Sequence, residues 1–139
     1  MKMLKRVLLA VALGAAVSTL AVAPAQAGGV KVSSVIKRCT LFPHNGYGGA
    51  VTWSDPAALC AQVYTTINSL TVRTGPSTAY SSDGYLRGGQ VYEFDCWSYG
   101  QTIDTNNVWL MLYSPVGRRY VSDRYVYTGP NVKTILGQC

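Results

Sequence analysis

The chain has 139 residues, a formal net charge of +6 and hydrophobic residues at 48%, which is room for one compact domain and excludes a disordered or strongly acidic polypeptide. Cleavage after Ala27 would remove three of the twelve Lys and Arg and none of the six Asp and Glu, so the remaining charge falls to +3. With Arg118-Arg119 the one basic doublet in residues 63–139, and that a solvated turn in most proteins, nucleic-acid binding is not expected.

The first segment predicts the compartment. Lys2, Lys5 and Arg6 form a basic head, residues 7–23 are almost uninterruptedly apolar, Pro24 breaks the run, and Ala25-Gln26-Ala27 offers small residues to a signal peptidase. Residues 1–27 therefore read as a cleaved export signal of bacterial type. No second apolar run of spanning length follows, and no Cys stands at the cut for a lipid anchor. The expected location is secreted or extracellular, with wall association possible for a mildly basic chain.

Residues 28–62 are Gly-rich and irregular, with Asn45-Gly46, Gly48-Gly49 and Ser54-Asp55-Pro56 as breakers. They carry too few apolar residues for a core of their own and read as a loop-rich extension, with one helical turn capped by Ser54 or Asp55 and opened by Pro56. Cys39, Cys60, Cys96 and Cys139 all survive cleavage. An even number of cysteines in a small exported chain is a disulfide framework. With no C-x-x-C, neither a zinc site nor a redox pair is predicted. Four cysteines allow three pairings, and spacing does not choose between them. The preferred one is Cys39–Cys60, closing the extension on itself, with Cys96–Cys139, tying down the C-terminus.

From residue 63 to 139 the pattern is β. Runs at 63–67, 70–73, 85–86, 91–99, 108–113, 119–122 and 125–127 are rich in Val, Ile, Thr and aromatics and are separated by Gly, Pro, Asn, Asp and Ser. Short, evenly punctuated strands predict an all-β fold of small-barrel or sandwich type. Strict alternation along Val91–Cys96 would put Val91 on a face with Glu93 and Asp95, so Val91 starts the strand or a bulge intervenes. The predicted core is Leu70, Val72, Leu86, Phe94, Leu112 and Val121.

Within this region Leu70-Thr71-Val72-Arg73-Thr74-Gly75-Pro76-Ser77, Gly84-Tyr85-Leu86-Arg87-Gly88-Gly89, Trp109-Leu110-Met111-Leu112 and Tyr120-Val121-Ser122-Asp123-Arg124-Tyr125-Val126 fall in order. Together they resemble the bacterial SH3 (SH3b) domain, with Thr71 where that family usually has Asn. The likeness covers about half of the chain left after residue 27 and extends to small exported actinobacterial SH3 proteins. It implies an SH3-like barrel, and a role in holding cell wall or another peptide or glycan rather than in catalysis. Gly75-Pro76 would permit a sharp turn, and Arg73 would reach across the barrel to carbonyls or an acid, with ligand contact as its other role.

The chain has ten Tyr and three Trp, more than a small barrel can enclose, and exposed aromatics suit sugar faces and peptide stems. Tyr80, after the Gly75-Pro76-Ser77 turn, and Trp97 and Tyr99, before a turn at Gly100, are with Arg73 the candidate ligand contacts, and Trp109 is assigned to the core. Catalysis finds little support. His44 is the only His, and it lies in the extension. Asp95-Cys96 is faintly similar to a cysteine-peptidase motif but lacks its Ser and the following helix. Glu93 and Asp95 would stand about 7 Å apart on a strand, a spacing that could serve glycoside hydrolysis but more often marks a solvated face. No catalytic residue, cofactor or metal is assigned. The expected partner is a bacterial cell-wall polymer, or alternatively an extracellular protein bound by a monomeric interaction module.

Overall fold

The computed structural model describes residues 35–42 and 56–139. Residues 1–27, His44, and the Ser54 and Asp55 caps lie outside them. The fold is all-β, as the pattern predicts, and is built from one curled antiparallel sheet. Its strands are β1 (Lys37–Arg38), β2 (Leu59–Gln62), β3 (Ser69–Arg73), β4 (Ser82–Arg87), β5 (Val91–Ile103), β6 (Asn106–Leu112), β7 (Tyr120–Ser122) and β8 (Gly137–Gln138). The spatial order is β1-β2-β5-β6-β7-β3-β4, with β8 lying parallel to β5. Among the described residues no helix is long and apolar enough to cross a membrane.

The thirteen-residue β5 organises the sheet. Its first half pairs with β2, its second half with β6, and Cys96 and Trp97 pair with β8. Val91 does open the strand, and a register shift between Phe94 and Cys96 supplies the bulge as well. An extra residue on one strand re-aims those beyond it, so Phe94 and Trp97 both turn inward. The β5–β6 hairpin closes through Asp104-Thr105, with Ile103 opposite Asn106. Both turn residues have positive φ, 43° and 73°, the backbone of a two-residue turn matched to strand twist.

The core gathers Leu70, Val72, Leu86, Phe94, Leu110 and Val121 with Trp97 and Val108, and Leu112 packs against it half-buried. Alternation on β3, with Leu70 and Val72 buried between exposed Ser69 and Thr71, is the expected pattern for a strand with one face inward. Two predicted strands are corrected. Only Val63 of 63–67 pairs, in a single bridge to Val126. The chain then turns at Thr65-Thr66 and passes so close to Gly88 that a Cβ there would sit 1.6 Å from the Ile67 carbonyl oxygen. Likewise 125–127 does not begin as a strand. Ser122 Oγ accepts from the Arg124 N–H and caps a 3-10 turn over Asp123–Tyr125. Local Ser capping wins over the β preference of Tyr125.

The extension is docked rather than separate. Leu59–Gln62, placed by sequence in the extension, is a strand of the sheet, and Ile36 and Ala61 belong to the main core. Ile36 N–H donates to the Thr128 carbonyl at 3.0 Å, and Tyr127 N–H to that of Gln62 at 2.8 Å. Both predicted disulfides are present, Cys39–Cys60 and Cys96–Cys139. The first sits in a satellite cluster with Phe42 and Val91. The second holds a C-terminal strap, made of the short helix α1 (Val132–Ile135) and β8, against β5. Their sequence separations of 21 and 43 residues correspond to about 3 and 4 kcal/mol of lost unfolded-state entropy.

Candidate ligand-binding groove

The loop 74–81 leaves β3 and is clamped twice. Arg73 Nη1 donates to the carbonyls of Thr78 at 3.1 Å and Tyr80 at 2.9 Å. The guanidinium therefore stays within its own loop, which corrects the expected reach across the barrel. From the other side, Gln101 Oε1 accepts from Thr78 N–H at 2.8 Å, Thr78 Oγ1 at 2.6 Å and Ser77 Oγ at 3.0 Å. Gln101 N–H also donates to the Pro76 carbonyl at 2.9 Å. Gly100 makes this approach possible, because a Cβ there would lie 2.0 Å from the Pro76 oxygen. Gly75 does not have positive φ, so its requirement is also steric: the Tyr80 ring lies 2.6 Å from where its Cβ would be.

Between this clamped loop, the β5–β6 hairpin and the 3-10 turn lies a groove of about 510 Å³. Leu70, Ile67, Ile103, Trp109 and Tyr125 give it an apolar lining, and Arg73, Ser69, Thr71, Thr78 and Ser122 add its polar groups. Trp109 is buried as predicted, and its indole N–H is spent on the Gln101 carbonyl at 2.9 Å. Tyr125 is half-buried, with the Arg124 guanidinium 5.7 Å from its ring centre, and Arg124 in turn lies 3.7 Å from Asp104.

The two walls meet at a buried carboxylate. Asp123 accepts from Asn106 Nδ2 at 2.9 Å and from Thr128 Oγ1 at 2.6 Å. It thereby joins the hairpin that carries Ile103 to the turn that carries Tyr125. Burial raises its carboxyl above the ordinary aspartate value. The hydrogen bonds from Thr128 and Asn106 and the charge of Lys133 pull the other way without cancelling the effect.

Of the four residues picked from sequence, Arg73 alone lines the groove. Tyr80 lies on the clamped loop, half-exposed over Gly75, with its carbonyl holding Arg73. Trp97 and Tyr99 form a separate pair with ring centres 4.9 Å apart at 81°. Trp97 is not the solvent-facing aromatic expected beside a turn. It is 6% exposed beneath the strap, and its indole N–H is shared by the carbonyls of Leu136 at 3.1 Å and Lys133 at 3.2 Å. Tyr99 is exposed and carries Lys133 Nζ, 3.2 Å from its hydroxyl. The residues missed are Ile67, Ile103 and Tyr125. The Ser-Asp-Arg-Tyr capping pattern at 122–125 was the available signal for the last of them.

Among the described residues the Glu93–Asp95 pair does not assemble. Glu93 is buried opposite Cys60, whereas Asp95 is exposed, so the two do not share an open strand face. Partial desolvation, and then the Glu93 charge, raise the Asp95 carboxyl. Cys96 is consumed in a disulfide. Among the described residues no group of His, Cys, Asp or Glu is placed to hold a metal ion.

Fold and site thus define a small all-β domain, stapled by two disulfides, with a largely apolar groove whose lining includes one guanidinium held by main-chain carbonyls. No family model matches the chain, and no solved structure matches it. It is 33% identical over 85 residues to the uncharacterized protein YraJ of Bacillus subtilis (strain 168), an alignment that covers 52% of this chain and 72% of that protein. The chain belongs to the same family as YraJ.

Proposed function

We propose that this is an exported, non-catalytic binding protein of the bacterial envelope, SH3-like in architecture, whose groove holds a peptide or glycan of the cell wall. The observation that carries the reading is the groove itself. Residues from three of the four SH3-type motifs, namely Leu70, Thr71 and Arg73, then Trp109, then Ser122 and Tyr125, converge on its lining. The lining is held by main-chain and side-chain hydrogen bonds before any ligand arrives, which lowers the ordering cost of binding. Two disulfides support export, since such bonds persist in oxidising compartments.

The test is co-sedimentation of oxidised residues 28–139 with purified peptidoglycan across a salt series, using Tyr125→Ala and, outside the groove, Tyr99→Ala. Saturable binding that survives salt, falls with Tyr125→Ala and is kept by Tyr99→Ala supports the proposal. Binding lost in moderate salt, or lost only with Tyr99→Ala, contradicts it.

A second reading, a secreted protein-interaction module, draws on a different surface. Tyr85 at 65% exposure, Tyr113 at 50% and Val116 at 73% are large hydrophobic residues left open to solvent. Tyr85 lies on β4 with Asp83, and Tyr113 and Val116 lie in the segment between β6 and β7 that carries Arg119, the ion-pair partner of Asp83. Recovery of a defined protein partner whose binding is lost with Tyr85→Ala and Val116→Ser together, and unaffected by Tyr125→Ala, would favour it.

A further inference from the structure

We infer that the occupant of the groove is an acidic peptide: a carboxylate pairs with Arg73 while an adjacent apolar side chain fills the space over Leu70, Trp109 and Tyr125. The inference rests on the groove being the binding site and adds the chemistry of its ligand. Among the described lining residues Arg73 carries the only charge, and no lining carboxylate is present to receive a cation. Its Nη1 is fixed by the Thr78 and Tyr80 carbonyls, and no described carboxylate forms an ion pair with it. The guanidinium plane is therefore set in advance, and its Nε and Nη2 donors remain for a planar acceptor. That is the geometry that favours bidentate carboxylate binding.

The other polar groups of the groove are largely committed. Trp109 Nε1 donates to Gln101, Thr78 Oγ1 to the Gln101 side chain, and Ser122 Oγ accepts from Arg124 N–H. A neutral sugar needs several paired donors and acceptors, and beyond Arg73 this lining offers the hydroxyls of Ser69, Thr71 and Tyr125 but no amide or carboxylate side chain. An apolar side chain beside a carboxylate needs what the groove does provide.

The test titrates oxidised, isotope-labelled residues 28–139 with acetyl-Ala-Leu bearing a free C-terminal carboxylate, with its C-terminal amide, and with a neutral N-acetylglucosamine trimer. Amide resonances are followed by NMR, and peptidoglycan co-sedimentation is run in parallel. The expected result is shifts confined to residues around Arg73, Trp109 and Tyr125, with the free acid binding about tenfold more tightly than the amide, as one charge-assisted pair warrants. Arg73→Gln should erase the difference between the two peptides. Because Arg73 also pins its loop, the comparison of acid with amide on the unaltered protein stands without that variant. Equal affinity for acid and amide, preference for the sugar, or no binding of either peptide at millimolar concentration overturns the carboxylate inference. If wall binding sensitive to Tyr125→Ala persists in those cases, the groove reading survives. If it is absent too, both fall.

Discussion

At Thr105 a β-branched residue holds φ 73° in the hairpin turn, a conformation that L-residues other than Asn and Asp rarely adopt. Thr105→Gly should stabilise the domain by about 1 kcal/mol, less whatever Gly adds to unfolded-state entropy. A rise in denaturant midpoint at unchanged slope is the expected readout, and a fall would show that Thr105 makes a compensating contact. The buried Asp123 gives a prediction in pH. Its folded carboxyl is raised above 3.8, so the folded state holds the proton more tightly than the unfolded chain. Its contribution favours folding below about 3.8 and is lost as pH rises through the raised value. Asp123→Asn should therefore flatten the decline in thermal midpoint over that range. Equal slopes in the two proteins would mean that the site is not linked to folding. Asp123 had no signature in sequence, because burial of a carboxylate depends on Asn106 and Thr128 arriving from two other segments.

Among the elements, the clamped loop and the strap decide what the groove and its surroundings look like. Gly100→Ala puts a methyl against the Pro76 carbonyl, so the loop must leave the hairpin. We expect a loss of about 1–3 kcal/mol together with weaker wall binding, measured by unfolding and by co-sedimentation. Unchanged stability would show that the loop accommodates the methyl. The strap gives a cleaner separation. Cys139→Ser should cost about 2–4 kcal/mol and free β8, exposing Trp97 and shifting its fluorescence to the red, while groove binding persists. A strap that stays docked would leave the emission where it was. These elements were unequally legible. β3, β5 and β6 were readable because alternation and Gly or Asn-Asp breakers bound them. The strap was not, since its four-residue helix and two-residue strand form only on the β5 edge and under Cys96–Cys139. Trp97 was misread for the same reason: its neighbour Gly100 suggested a turn, while its cover comes from residues 36 and 39 positions later.

Among the described residues, a curled sheet, a C-terminal strap and the docked part of the extension enclose a main core, with a satellite cluster around Cys39–Cys60. Leu70, Thr71, Arg73, Trp109, Ser122 and Tyr125, from three separate stretches of the chain, meet at one groove, while Val72, Leu86 and Val121 fill the core. The fold class and the presence of a disulfide framework were legible, because alternation, turn residues and an even cysteine count are local or countable properties, whereas the pairing was a preference that spacing did not fix. The groove was not, because it is made where the 74–81 loop, the β5–β6 hairpin and the 3-10 turn approach one another, and only Arg73 among the chosen residues stands there. The central claim is that this groove is where the protein holds its ligand. The most direct measurement is an NMR titration of labelled residues 28–139 with soluble peptidoglycan fragments. The account predicts saturable shifts at Leu70, Thr71, Arg73, Ile103, Trp109 and Tyr125. Shifts centred on Tyr85 and Val116, on Tyr99 and Lys133, or nowhere at saturating fragment, would contradict it.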